Sequence, residues 1–429
     1  MKNNINFFIE ELENKEYLVY NKNSHIAGIF SETGMESFDI LVSNNQNIDI
    51  IKKKYGLDNE DEKTLIKFSE NLNSMNFYCT TENITLNTKD DLENITDQIR
   101  FYLHVTSKCN LKCNYCYNAD SRKDVEDLNL DKWKIIIDKI VTYAKLIIIT
   151  GGEPTLNENL SEIIEYIKFK KEDIKINMIS NATTDYSKVV NFKSILNNLD
   201  KLTLSVDNIS TSDSERIGFK LDMFHKNLNF LKENYITTKI TLSPVWSSFN
   251  NEKVNEIKEF ANINNFIFRH IIRLPNTKEE VKLMPDITEF KNAVSSSMSK
   301  VYLDGSKKTD ILKNKKIKCS AASMTFSIDS NGDCYPCQNF HFDEFNLGNI
   351  LNSKFEEIYY NQYASETRKR SVFNTSICKD CKLKYICIGG CMAQTYKNQG
   401  SITAYPELLC SYYKIEAIQA LIATVKSND

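Results

Sequence analysis

Apolar residues follow three successive spacing regimes along the chain. In the first, "INFFIEE" and "EYLVYN" read as short strands separated by Asn and Lys turns. "MESFDILVS", "NIDIIKKKYG" and "EKTLIKFSENLNSM" instead space their apolar residues as helices do. These elements define a small α+β unit over residues 1–95. A small sheet with three helices is too thin for a catalytic core, but its exposed edge could accept a peptide strand.

From about residue 100 the pattern becomes a strand–helix alternation. "FYLHVTS" (101–107) predicts a strand, followed by a helix over 131–144 with Trp133, Ile136, Ile137, Ile140, Val141 and Ala144 on one face. "LIIIT" (146–150) predicts the next strand, and 158–168 the next helix, with Leu160, Ile163, Ile164 and Ile167 turned inward. Further strands are expected near 174–180, 201–206, 237–243 and 266–272. Six such units predict an α/β fold over 96–305, a partial (β/α)6 barrel short of the eight units of a closed one. Beyond about 305 the periodicity fades, leaving a cysteine-rich third region, 306–429. The run "KKTDILKNKKIK" (307–318) at this boundary reads as a solvated linker or exposed helix face.

Composition sharpens this in two respects. A net charge of −3 over 429 residues gives no global basic surface, so nucleic acid is not an expected partner. No run of 18 apolar residues occurs, and "MKNN" does not lead into a signal-peptide core, so the expectation is a cytoplasmic protein without a membrane partner. Twelve cysteines are many for that reducing compartment unless they bind something. One is Cys79, three lie at 109–116, and eight lie between Cys319 and Cys410, a distribution that favours metal centres over disulfides. Cys79, in the expected strand "MNFYCTT", reads as a buried core thiol.

Cys109, Cys113 and Cys116 follow the first barrel strand, where barrel active sites are built. Three thiolates at this spacing can hold three irons of a 4Fe–4S cubane and leave the fourth open. A structural zinc needs a fourth ligand, for which the nearest candidate is His104, within a strand. The spacing CxxxCxΦC, with Tyr115 as the aromatic residue, resembles the signature of radical S-adenosylmethionine (SAM) enzymes. The resemblance implies that SAM chelates the open iron. Thr150-Gly151-Gly152-Glu153-Pro154 ends the next strand. Without side chains, Gly151 and Gly152 let the backbone approach a ligand closely, and Glu153 offers an acceptor for an ammonium group. Alone this is a tight turn; after the cysteine loop it resembles the family's SAM-binding GGE motif. Ser180 and Asn181, then Ser205 and Asp207, lie at the next two strand ends, where similar enzymes contact the SAM ribose and carboxylate. They could equally be capping residues. Arg269 could face the same cavity or support the barrel wall.

The third region resembles the seven-cysteine SPASM domain, Cx9–15Gx4C…Cx2Cx5Cx3C…C. Cys319, Gly332 and Cys337 carry its first part, Cys378, Cys381, Cys387 and Cys391 its second, and Cys410 its last position. Residues 378–391 alone would also suit a zinc ribbon. The resemblance implies one auxiliary cubane on Cys378, Cys381, Cys387 and Cys410, and another on Cys319, Cys337 and Cys391, for three 4Fe–4S clusters in all. The extra Cys334, three residues before Cys337, is the candidate eighth ligand, its rival role being a free thiol that donates hydrogen or binds substrate.

The N-terminal unit resembles the PqqD-like, winged-helix-type recognition element of enzymes that modify ribosomally made peptides, through "YLVYN", "MESFDILVS" and "FSENLNSMNFY". An ordinary winged helix would show the same pattern. Together these resemblances imply a maturase that cleaves SAM to a 5′-deoxyadenosyl radical, takes hydrogen from a precursor peptide and forms a thioether or carbon–carbon crosslink. Its electrons would come from a ferredoxin or flavodoxin. A redox-neutral epimerase is a second outcome of the same chemistry. A sulfatase-type, formylglycine-making enzyme is a third reading, disfavoured because such enzymes carry Asp where this chain has Gln338. An electron carrier without SAM chemistry is the non-enzymatic one.

Overall fold

The computed structural model describes residues 6–80, 92–119, 126–211, 214–234, 238–275, 277, 279–292, 294 and 317–426. The run 307–318 lies almost wholly outside them. Strands β1 (Phe7–Glu11), β2 (Tyr17–Asn21) and β3 (Ile26–Phe30) form an antiparallel meander. Helices α1 (Glu32–Ser43), α2 (Ile48–Tyr55) and α3 (Asn59–Ser74) follow it. The expected elements are present, together with β3, whose sequence "IAGIF" lacks clear alternation. Residues 75–78 form turns and 79–80 no regular element where a strand was expected, and Cys79 is half-buried, not a core thiol. The Cys79 carbonyl accepts hydrogen bonds from the Asn21 and Asn23 side-chain amides, which hold this segment in a non-strand path.

Each face of β2 has a different neighbour, as its period of two requires. Val19 packs with Phe38 and Leu72 of the unit's own helices. Leu18 and Tyr20 point the other way, onto Leu383, Ala417, Ile418 and Leu421 from the C-terminal region. The sheet is therefore a two-faced layer that joins the chain's ends.

The six expected barrel strands are all present. These are β4 (Ile99–His104), β6 (Ala144–Thr150), β7 (Lys175–Ser180), β8 (Lys201–Leu204), β10 (Lys239–Leu242) and β12 (Ile267–Phe268), parallel and sequentially ordered. The intervening helices are α4 (Leu130–Ile140), α5 (Leu160–Lys170), α6 (Phe192–Asn198), α7 (Leu221–Glu233) and α8 (Asn251–Ile263). Helix α4 is shorter than expected because Ala144 pairs with Ile99 and opens β6. Its face nevertheless matches: Trp133, Ile136, Ile137 and Ile140 are buried against the sheet. Each such burial stabilises the fold by about 1.5–3 kcal/mol.

The sheet continues past residue 305. Strand β14 (Thr325–Ile328) lies parallel to β4, and β15 (Cys334–Tyr335) returns antiparallel, giving eight strands in all. Short pairs β5 (Lys112–Cys113) with β9 (Arg216–Ile217), and β11 (Val245–Trp246) with β13 (Ile271–Ile272), extend the strand ends on the active side. The C-terminal region adds α9 (Phe355–Tyr359), α10 (Gln362–Lys369), α11 (Lys384–Cys387), α12 (Met392–Gln399) and α13 (Cys410–Lys426). No helix among the described residues is long and apolar enough to cross a membrane.

Candidate functional site

The carboxyl ends of the strands open into a cavity of about 280 Å³. Cys109, Cys113 and Cys116 all line it, together with Tyr115, Gly151, Gly152, Glu153, Ser180, Asn181 and Ser205. Burial raises the Cys113 thiol to about 11, with Arg216 pulling the other way and Cys116, Asp207 and Cys109 adding to the rise. These thiols therefore bear on one another. The loop is pinned from several sides: β5 ties Cys113 to Arg216, and Asn181 Nδ2 reaches Asn110 Oδ1 at 2.8 Å. The Cys116 thiol donates to Asn118 Oδ1 at 2.9 Å, and Asn118 Nδ2 donates to the Gly151 carbonyl at 3.3 Å.

Gly151 and Gly152, besides lining the cavity, pack against the chain. Their closest neighbours are the backbone of the cysteine loop. Gly152 N donates to Thr106 O and Glu153 N to Lys108 O, each at 2.8 Å. A Cβ on Gly151 (φ +136°) would overlap Thr106 O, and one on Gly152 would overlap Lys108 O. The two glycines let the GGE turn lie flush on the segment that leads into Cys109.

Glu153 is buried on the cavity wall. Its Oε1 accepts from Ser180 Oγ (2.8 Å), Thr155 Oγ1 (2.7 Å) and Thr155 N, and its Oε2 from Asn181 N (2.7 Å). Burial raises its pKa, against the opposing pull of these donors. Ser180 and Asn181 thus position the carboxylate while themselves lining the cavity.

Asp207, expected as a SAM contact, is absent from the residues that line this cavity. Its carboxylate is buried beneath the site, accepts from Tyr115 Oη and from Val245 N (3.0 Å), and pairs with Arg216 Nε at 3.2 Å. Burial works against the Arg216 charge, and Asp207, Tyr115 and Cys113 more than restore it. The guanidinium carbons of Arg216 and Arg273 lie 5.4 and 5.9 Å from the Tyr115 ring centroid, and Arg273 pairs with Glu215. Sequence reasoning missed Arg216, Arg273 and Asn118. Arg216 had a usable signal, because an acid at a barrel strand end needs a cation once buried. Arg269, the lower-ranked candidate, is absent from the lining of this cavity among the described residues.

In the C-terminal region the cysteines gather in two sets. Cys319, Cys337 and Cys391 share one apolar cluster with Phe340, Met392 and Ala393, and the Cys337 thiol, raised by burial, is raised further by the other two. Cys378, Cys381, Cys387 and Cys410 line a second cavity of about 350 Å³. Sulfur-rich, largely apolar surroundings of this kind suit iron–sulfur ligation. Cys334 joins neither set. It sits on β15 in the main hydrophobic core, and the groups that act on its thiol besides burial are Asp329, Asp333, the Ile350 backbone and Lys139. Strand alternation is the reason: the pairing of Cys334 with Ile328 turns its side chain into the core. This placement argues against the expected role of Cys334 as an eighth ligand. Cys334→Ala is expected to leave iron content unchanged and to cost about 1 kcal/mol of stability, measured by iron assay and thermal unfolding.

The wall opposite Cys109 belongs to the C-terminal region, through Gln338, Asn339, Phe342, Ala393, Gln394 and Lys397. Among the described lining residues the one carboxylate is Glu153, already engaged by four donors.

Comparison with known proteins agrees with this layout. The Radical SAM superfamily model matches residues 103–261, and the SPASM model, an iron–sulfur cluster-binding domain, matches 319–382. The mycofactocin maturase MftC of Mycolicibacterium smegmatis is 25% identical over 319 residues, 68% of this chain and 77% of that one. A cysteine-type anaerobic sulfatase-maturating enzyme of Clostridium perfringens is 26% identical over 325 residues, 67% of this chain and 86% of that one. The crystal structure of Streptococcus suis SuiB bound to precursor peptide SuiA superposes with a TM-score of 0.56 at 19% identity, covering 94% of this chain and 97% of that one. The chain thus carries a radical SAM domain over residues 103–261 and, behind it, a SPASM domain matched over residues 319–382.

Proposed function

We propose that the chain is a peptide maturase that uses SAM and iron–sulfur clusters to form an oxidative crosslink, thioether or carbon–carbon, in a ribosomally made precursor peptide. The observation that carries this reading is the convergence of Cys109, Cys113, Cys116 and the Gly151–Glu153 turn on one cavity whose far wall is the SPASM region. The donor set fits an open cubane: three thiols line one cavity, with no fourth cysteine on its wall among the described residues. When bound there, a reduced cluster with SAM supplies one-electron cleavage to methionine and a hydrogen-abstracting radical.

The chain's own residues orient and enclose. Asn181 and Asn118 brace the cysteine loop from two sides. Glu153, held by four donors, presents a fixed acceptor where an ammonium group would lie. Two further clusters are assigned to the cysteine sets at 319/337/391 and 378/381/387/410, of which the first supplies three thiolates and the second four. They would accept the electron that a crosslink releases, and a ferredoxin or flavodoxin would supply the one that starts the reaction.

Support for a peptide substrate comes from the superposition on SuiB bound to precursor peptide SuiA, which extends over 94% of this chain. We assign peptide recognition to the N-terminal unit, whose edge strands β1 and β3 have no further strand partner among the described residues. The formylglycine reading needs a base on the substrate side. Position 338 is an amide lining the cavity, which supports crosslinking over that reading.

Enzyme, reductant, SAM and the short peptide encoded beside its gene are expected to yield deoxyadenosine and a peptide lighter by two hydrogen atoms per crosslink. Deoxyadenosine with a peptide of unchanged mass would replace the crosslinking reading with epimerisation.

A further inference from the structure

Arg370, just beyond α10, is almost completely buried, at 1% exposure. It forms no ion pair with a carboxylate among the described residues. Its Nη1 donates to the Ile388 carbonyl at 2.8 Å and its Nη2 to the Gly389 carbonyl at 2.6 Å. Its Nε is buried with no hydrogen-bond partner. A buried guanidinium is always charged, and leaving one of its donors unmatched in the interior is costly. Something with negative charge is therefore expected beside it.

The chain around Arg370 shows where that charge lies. Burial disfavours its cationic form, and the groups that favour it are sulfurs from both auxiliary sets, Cys319 and Cys391 from one and Cys378 and Cys387 from the other. The two carbonyls it binds belong to the short segment Cys387-Ile388-Gly389-Gly390-Cys391, which links the sets directly. That segment adopts an uncommon path: Ile388 has φ +53° and Gly389 φ +75°. A β-branched residue in the left-handed region is strained by on the order of 1–3 kcal/mol and persists only where its surroundings enforce it. Here the strained turn directs two consecutive carbonyls onto one guanidinium. A Cβ on Gly389 would sit 2.8 Å from Nη2, so the fit is close.

We propose that Arg370 is the shared counter-cation of the two auxiliary cluster sites, its free Nε–H donating to sulfur and its charge holding both reduction potentials up. This rests on the assignment of clusters to these cysteines. Each cluster with its thiolates is anionic and gains a further negative charge on reduction. A fixed cation between two such sites stabilises the reduced forms and lessens their mutual repulsion. Arg370 is thus a positioning and tuning residue that touches neither substrate nor SAM in this account.

The test uses the full chain with Cys109, Cys113 and Cys116 replaced by alanine, so that the auxiliary clusters are observed alone. Iron content near eight per chain establishes that both are present; iron near zero would overturn the cluster assignment itself. EPR-monitored redox titration of Arg370→Met is then expected to show the auxiliary signals moved to lower potential, with Arg370→Lys restoring part of the shift. Iron-replete Arg370→Met with unchanged potentials would overturn the proposal. Should Arg370→Met lose iron, the parent protein labelled with 15N-arginine decides. Pulsed EPR of its reduced auxiliary clusters is expected to show 15N coupling, and its absence would overturn the proposal.

Discussion

Gly152→Ala is expected to reduce SAM cleavage by at least about 100-fold while leaving the protein folded. A methyl group there meets the Lys108 carbonyl oxygen, which is backbone and cannot rotate away. The cysteine loop and the GGE turn must move apart, breaking the Gly152 N–Thr106 O and Glu153 N–Lys108 O hydrogen bonds. Overpacking of this kind costs about 3 kcal/mol. A displacement near 1 Å at a reacting centre lowers rate by roughly 100-fold. Deoxyadenosine formation in single turnover measures the loss. Gly34→Ala in α1 is the control, because its Cβ would have 3.4 Å to Ser31 Oγ and no positive φ to accommodate. Equal activity of the two variants would show that the two loops do not act as one unit.

Asp207→Ala is expected to destabilise the fold by about 3–5 kcal/mol, the usual result of leaving a buried charge without its partner. Arg216 would remain beneath the cavity beside Cys113, with Tyr115 also losing its acceptor. The double variant Asp207→Ala/Arg216→Met is expected to recover most of that loss, since it removes both buried charges. Thermal and denaturant unfolding of the two proteins provide the measurement. A residue that only contacted SAM would behave otherwise: its removal would raise the KM for SAM and leave unfolding unchanged. The two measurements together separate a supporting ion pair from the expected ligand contact at Asp207.

The barrel was legible because each helix and strand between residues 99 and 268 carries its own period. The burial of Trp133, Ile136, Ile137 and Ile140 on one face of α4 follows directly from their spacing. The cysteine motifs at 109–116 and 378–391 were legible because their spacing is local, whereas the division of the C-terminal cysteines into two sets came from the family resemblance. What escaped depends on contacts distant in sequence. Strand β14 joins β4 across more than two hundred residues, so nothing near Thr325 signals that the barrel sheet continues there. Cys334 illustrates the limit of spacing arguments: an i, i+3 separation suits a cluster, yet strand pairing points the thiol into the core. Arg216 and Arg370 share a further trait. Each is a buried cation whose partners lie elsewhere in the chain, and burial of a single arginine leaves no pattern in its own sequence neighbourhood.

The central claim is that Cys109, Cys113 and Cys116 hold a cluster with one position open to SAM. EPR of the reduced protein, with and without SAM, tests it most directly, using protein in which Cys319, Cys337, Cys378, Cys381, Cys387, Cys391 and Cys410 are replaced by alanine. The account predicts a cluster signal whose g-values shift on SAM addition and that disappears in Cys113→Ala. A normal cluster signal that SAM leaves unchanged would contradict it.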